Sequence, residues 1–536
     1  MNSMNKKIIT FFVVFSTLMF TSCLDDLDVK PIDPNLLLSS NLKDRPGAMK
    51  QALAKIYAGF ITRGQDGNDN DINSTDANFT TFIRSWWNVQ ELTTDEVICA
   101  WGDPGIADLN TQRWTPNNPF LTGVYSRIIW LAVLSNDYIR LTTGDPDPEI
   151  ARYNAEARFL RALAYYYAID LFGNPAFITE ADKVGNFFPP QTDRKSLFDY
   201  IEKELLEVQD QLGEPKFELY RADKAAAWML LAKLYLNAEV YTGTQRWADC
   251  KTYCDKVISS GAYSLATDYR QNFSSDNDQS PEMIFALAAD GINIQGPTGV
   301  SFIIHSSSNG VNIDAATLGL PGNWGGNRTK RQFVDVLIDT LAVYGNVPVV
   351  SANDPEFTKV EDNRIFIKRM DAWDIKNIPT FSQGIGVFKF TNNRSDGGPI
   401  VNYNTDFTST DFPIFRLAEA YLMRAEALLK SGNTSEAVND VNTIRTRAFG
   451  DAAHNITAAQ LTNDFLLDEL GREFYYEGHR RTDLIRFGQF SDGTYTWAWK
   501  GNVYAGVPTS GHLDLFPIPG DEVSANPNIK QNPGYN

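Results

Sequence analysis

FPIFRLAEAYLMRAEALLKSGNTSEAVNDVNTIRTRA, residues 412–448, sets the plan of this chain. Ile414, Leu417, Ala418, Tyr421, Ala425 and Leu428 recur at steps of three and four, which lines one face of a helix. The turn Ser431-Gly432-Asn433 predicts a stop, with Gly432 left-handed, and Asn433 with Glu436 predicts a capping-box-like restart. Ala437, Val441, Ile444 and Ala448 continue at helical spacing, so two helices meet across small alanines.

Such a pair resembles a tetratricopeptide repeat. A second pair is predicted over residues 222–241 and 247–259, split by Thr242-Gly243-Thr244. Single helices are predicted over 46–61, 121–141, 150–172, 196–212 and 466–481. The other segments differ in character. Residues 79–114 are irregular and aromatic, with Trp86, Trp87, Trp101 and Trp114, and the tail 497–535 is broken by prolines. Residues 263–411 are rich in glycine, asparagine, serine and threonine, with one short helical run at 331–340. A loop exposes what a helix pair buries, so part of a functional site is expected there.

The chain has 536 residues, 43% hydrophobic and 12% aromatic, so it folds. Its 66 acidic against 48 basic residues, a net charge of −18, argue against nucleic acid as a partner and favour a neutral ligand. Lys6 and Lys7 precede an apolar run, Ile8 to Phe20, too short to span a bilayer, and Phe20-Thr21-Ser22-Cys23 follows. This resembles a lipoprotein signal over residues 1–22, with Cys23 lipidated as the first residue of the mature chain. The remaining Cys99, Cys250 and Cys254 are too few for a disulfide framework, and Cys250 and Cys254 share a helix face that predicts burial.

Five stretches carry a wider resemblance: Asp25, Leu27 and Pro31; EARFLRALAYYYAIDLFGNP at 156–175; RADKAAAWMLLAKLYLNAEVYTG at 221–243; FRLAEAYLMRAEAL at 415–428; and REFYYEGHRRTDLIRFG at 472–488. In that order they resemble the SusD/RagB family of outer-membrane glycan-binding lipoproteins. The resemblance implies a mainly α fold, a tetratricopeptide-like helical-repeat scaffold (an α/α superhelix) of four pairs cradling a loop-rich ligand-binding half. The mature chain 23–536 is then a single domain, with scaffold near 45–64, 118–260 and 411–490 and binding portion near 65–117, 263–410 and 491–536. It also implies a lipid-anchored protein facing the cell surface, with a SusC-like TonB-dependent transporter as partner.

Within that family the chain looks most like a starch-binding member, which places Arg84 and Trp101 on matching binding positions and Trp324 on a second aromatic position. Two departures stand out: Pro104 replaces an asparagine, and a tyrosine is replaced near Pro297. The resemblance implies an α-glucan as the leading ligand, the two departures count against it, and a fructan or a plant cell-wall polysaccharide is the alternative.

An oligosaccharide offers apolar C–H faces and hydroxyl rings, and asks for flat aromatics flanked by amides, carboxylates or guanidinium. Arg84, Trp101 and Asp103 form one such group; Asn323, Trp324 and Asn327 form another. Covering one sugar face removes about 50 Å² of apolar surface, on the order of 1 kcal/mol per tryptophan. Trp86, Trp87, Trp497 and Trp499 are assigned to the core. The rival reading is a glycoside hydrolase, with Glu473 and Glu477 or Asp95 and Glu96 as its carboxylates. Glu473 and Glu477, however, stand i,i+4 beside Arg472, Arg480 and Arg481, the pattern of a salt-bridged helix face. No catalytic or cofactor motif is found. Asp66, Asn68 and Asn70 hint at a calcium loop, but its required glycine is Asp71.

Overall fold

The two longest helices begin on local signals. Asn118 and Asp147 each accept a hydrogen bond from the backbone N–H two residues on, at 3.0 and 2.8 Å, and each precedes a proline at the first helical position. The structure is a computed structural model and describes residues 42, 45, 47–64, 70–72, 77–185, 187–295, 299–308, 313–338, 361–493 and 495–535. Residues 1–22, Cys23, Asp66, Asn68 and Pro297 lie outside the described residues. Residues 52–536 form one compact unit, and residues 1–51 a separate one.

The helices are α1 (Ala48–Ala58), α2 (Phe82–Glu91), α3 (Ile106–Asn110), α4 (Pro119–Thr142), α5 (Pro148–Leu171), α6 (Arg194–Val208), α7 (Lys224–Leu236), α8 (Ala238–Thr242), α9 (Trp247–Ser259), α10 (Val300–Ser307), α11 (Arg331–Ile338), α12 (Leu417–Lys430), α13 (Thr434–Phe449), α14 (Asn463–Phe474), α15 (Arg480–Arg486) and α16 (Gly520–Ala525). Among the described residues six short strands form: β1 (Val97–Cys99), β2 (Met283–Leu287), β3 (Asn327–Thr329), β4 (Ile367–Arg369), β5 (Ile385–Val387) and β6 (Phe412–Arg416). The fold is thus mainly α. Successive helices pack as α4–α5–α6 and α7–α9–α12–α13. Cys250 and Cys254 are buried on α9.

The opening stretch is half helix pair and half something else. Ala418, Leu422, Ala425 and Leu428 meet Ala437, Val441 and Ile444 in one apolar cluster, with Tyr421 only at its margin. Gly432 ends α12 at φ 83°, as its position predicts. The capping box does not form, because no side chain caps α13 at Asn433. Phe412–Arg416, read above as helix, is β6, paired antiparallel with β2 across a bulge. Pro413 disfavours helix at Phe412, and the four apolar residues before Arg416 give no period to tell a buried strand from a buried helix.

Two more segments depart from expectation. Residues 82–91, read as irregular, form α2, and all ten residues are buried. Phe82, Ile83, Trp86, Trp87 and Val89 line one side at helical spacing, and the polar side is buried too: Gln90 donates to Asp170 at 3.0 Å, and Glu91 accepts from the Gly478 N–H at 2.5 Å. The predicted helix 466–481 is broken between α14 and α15, where Tyr476 and Gly478 take φ of 65° and 79°. The freed N–H groups donate to the carboxyls of Glu96 and Glu91. A Cβ on Gly478 would lie 2.2 Å from the Trp86 ring, so only glycine fits.

Glu91 and Glu96 are both buried in this interior, within reach of each other's charge. Burial pushes the Glu91 carboxyl up to about 8 and raises that of Glu96. A carboxyl whose folded pKa is raised stabilises fully below its unfolded value and loses that contribution as pH rises toward the folded one. Between pH 5 and 7 the wild type is therefore expected to lose stability relative to Glu91→Gln, by at most about 1.4 kcal/mol per pH unit. Thermal melts of both proteins across that window check this; parallel curves would contradict it.

The junction of scaffold and loop-rich half is a buried ion network. Arg416 donates to Glu282 at 2.7 Å, to Glu473 at 2.6 Å, and through two nitrogens to Glu477 at 2.8 Å. Arg447 and Arg364 also reach Glu473, and Lys389 reaches Glu477 at 2.6 Å. Burial alone would raise the Glu473 carboxyl, but Arg447, Arg416 and Arg364 outweigh it and hold it well below the carboxylate range. The salt-bridged reading of Glu473 and Glu477 holds, with other partners than expected: Arg472 pairs with Glu469 and Arg480 with Asp95. Nor is this an exposed helix face, since Glu473 and Glu477 are buried.

Candidate ligand-binding site

Two segments more than two hundred residues apart are joined by a short ladder. β1 pairs antiparallel with β3, matching Val97 to Thr329 and Cys99 to Asn327. The Ala100 N–H continues the ladder onto the Gly326 carbonyl at 2.9 Å. Trp101 and Trp324 therefore leave the same end of the sheet, with ring centroids 6.4 Å apart and planes inclined by 51°. The Trp101 indole N–H donates to the Gly325 carbonyl. A Cβ on Gly326 would stand 2.5 Å from the Trp101 ring, so the close approach requires glycine there.

Trp324 is 47% exposed, the state its glycine- and asparagine-rich setting predicts. One of its faces is covered by His305 of α10, stacked at 4.3 Å and 19°. Trp101 is half-buried, leaning on Phe302 of the same helix at 6.1 Å. The two backbone N–H groups of Trp324 and Gly325 donate to the carbonyls of His305 and Ser308, at 3.3 and 2.8 Å, and so tie the loop to the end of α10.

Arg84 projects from α2 beneath Trp101. Its guanidinium lies 5.6 to 5.9 Å from the rings of Phe79, Phe120, Trp101 and Phe302, and it bonds the Asp103 carboxylate at 2.9 Å. Arg84 itself is buried, whereas the Asp103 side chain is one third exposed. Asn323 is exposed; its side-chain oxygen accepts from the Ala315 N–H at 2.8 Å, which leaves its amide N–H groups to offer. Arg84, Trp101, Asp103, Asn323 and Trp324 thus gather around one surface. Asn327 does not join them. It is the first residue of β3, fully buried, and donates to Ser306 at 2.8 Å.

His305 escaped sequence reasoning altogether. It lies in the apolar run VSFIIHSS, where nothing marks it as the support of a tryptophan nineteen positions on. The half-buried Phe381, at the rim beside Gly325, was likewise unmarked.

The face is suited to stacking and hydrogen bonding. The carboxylates proposed for hydrolysis are enclosed: Glu473 and Glu477 sit in the ion network, and Asp95 is clamped by Arg480 through 2.9 and 2.7 Å bonds and by Tyr495 at 2.7 Å. Glu96 is buried as well. Among the described residues no group of three histidine, cysteine or acidic side chains is arranged to hold a metal ion. Asn70 accepts from Thr80 at 2.9 Å, and Asp71 pairs with Lys55 and Arg127.

Comparison with known proteins places this geometry in context. A sequence model of the SusD family matches residues 346–535. The starch-binding protein SusD of Bacteroides thetaiotaomicron is 34% identical over 558 aligned positions, covering 96% of this chain and 96% of that protein. Among solved structures, a SusD superfamily protein from B. thetaiotaomicron superposes with a TM-score of 0.69 at 18% identity, over 92% of this chain and 99% of the other. Surface glycan-binding protein A from the same organism, solved with laminarihexaose, gives a TM-score of 0.66 at 17% identity, over 91% and 99%. With a 34% identical relative matched along nearly its whole length, this chain belongs to the SusD family.

Proposed function

We propose that this chain is a cell-surface glycan-binding lipoprotein that captures oligosaccharide or polysaccharide, an α-glucan first among candidates, and passes it to a SusC-like TonB-dependent transporter. The observation that carries the reading is the exposed Trp324, backed by His305 and set at 51° to Trp101. Inclined rings suit successive sugars of a curved chain, whereas a flat ribbon suits coplanar ones. In this reading Trp324 and Trp101 stack on sugar faces, Asp103 accepts hydroxyl protons while Arg84 holds it in place, and the Asn323 amide donates. Starch binding in the 34% relative and laminarihexaose on a structural neighbour both support a curved glucan.

The function is binding without cleavage, on a single mature domain 23–536 anchored through lipid on Cys23. No helix among the described residues is long and apolar enough to cross a membrane, so the lipid supplies the attachment in this reading. Calorimetry of the mature protein against a panel of starch, laminarin, fructan and plant cell-wall polysaccharides tests it. Binding to an α-glucan with no release of reducing ends is expected, and Cys23→Ala expressed in cells is expected to keep binding but leave the membrane fraction. Steady release of reducing ends by the purified protein, or no binding across the panel, would overturn the reading.

A further inference from the structure

An exposed tryptophan on a glycine-rich loop ordinarily has two faces to offer and several rotamers to visit. Trp324 has neither freedom. The His305 ring, only 2% exposed, covers one indole face at 4.3 Å with a 19° tilt. The His305 carbonyl accepts from the Trp324 N–H at 3.3 Å, and its Nδ1 lies 3.3 Å from the Gly322 carbonyl, positioned to donate. One residue thus holds the ring of Trp324, its backbone, and the chain two residues before it. His305 sits in the last turn of α10, and the first turn of that helix is anchored where Ser301 accepts from the Thr408 N–H at 2.9 Å. Burial favours the neutral form of the ring, so a flat uncharged aromatic, and not an imidazolium, meets the indole.

We infer that His305 is the positioning residue of the glycan face, fixing the plane of Trp324 so that one indole face alone is presented to a sugar; this rests on the binding function proposed above. The Trp324 side chain is then ordered before ligand arrives, and binding does not bear the cost of immobilising it. That saving corresponds to a factor of about 3 to 10 in affinity for one rotamer-rich side chain. It also makes the platform one-sided, so a glycan chain can pass over Trp324 but cannot wrap it.

The test separates the flat ring from the Gly322 bond. His305→Phe keeps a flat aromatic and loses the bond; His305→Leu loses both while keeping an apolar group in a buried place. The mature protein is labelled with 5-fluorotryptophan, and Trp324→Phe assigns the Trp324 line in the ¹⁹F spectrum. Wild type and His305→Phe are expected to show one narrow Trp324 line and affinities within about twofold of each other for maltoheptaose or laminarihexaose. His305→Leu is expected to show a shifted, broadened line and to bind about 3 to 10 times more weakly, at a melting temperature close to wild type. If His305→Leu fails to fold, His305→Met takes its place. An unchanged line and affinity in the leucine variant, or an equal loss in the phenylalanine variant, would overturn the inference. If neither oligosaccharide binds the wild type, the glycan reading is at fault, and the fluorine line still decides whether His305 holds Trp324.

Discussion

Arg416→Ala is expected to destabilise the protein by about 3–5 kcal/mol, enough to leave much of it unfolded or aggregated on expression. Arg416 is buried at the end of β6 and is the hub through which Glu282, Glu473 and Glu477 are neutralised. Its guanidinium also stacks 4.5 Å from the Phe474 ring. Removing it takes from Glu282, Glu473 and Glu477 the cation all three share, away from water, while Arg447, Arg364 and Lys389 remain to soften the loss. Lys195, 65% exposed in its pair with Asp199, is the control, and its alanine variant is expected to melt with the wild type. Denaturant melts of both variants check the contrast. An Arg416→Ala protein as stable as the control would show that the network is not what joins the two halves.

The second large effect falls on binding. Trp324→Ala is expected to weaken glycan affinity by about 1–3 kcal/mol, roughly 5- to 150-fold, and to leave the melting temperature nearly unchanged. With half of its surface open, Trp324 contributes little to the core. Trp101→Ala should cost both properties, because that indole also bonds Gly325 and packs on Gly326 and Phe302. Calorimetry beside a thermal melt separates the two: an intact affinity with a collapsed melt for Trp324→Ala would place that residue in the core. Pro104, exposed beside Asp103, offers no N–H; Pro104→Asn is expected to hold or improve affinity for an α-glucan.

The helix pairs were legible because alanine stripes and a glycine stop are local signals, and 417–430 with 434–449 form as their spacing requires. Trp324 was legible for a similar reason, since a large aromatic among glycines and asparagines has little core to enter. That it meets Trp101 was not legible from periodicity, because the ladder joining them has strands of three residues, too short to show alternation. Their shared family positions, and not their spacing, brought the two residues into one site. β6 was misread because the short apolar run 412–415 fits either structure until its partner β2 is seen. The break at 475–479 depends on Glu91 and Glu96, nearly four hundred residues away, whose carboxyls take the N–H groups that a continuous helix would have used. His305 is invisible for the same reason: its role exists only once α10 lies against the 322–326 loop.

A crystal structure of the mature protein with the tightest-binding oligosaccharide of the panel tests the central claim most directly. The sugar is expected on the open face of Trp324 and against Trp101, with hydroxyls on Asp103 and Asn323. Sugar instead in the cavity of about 440 Å³ bordered by Arg270, Phe388 and Asn393, with the Trp101 and Trp324 face bare, would contradict it.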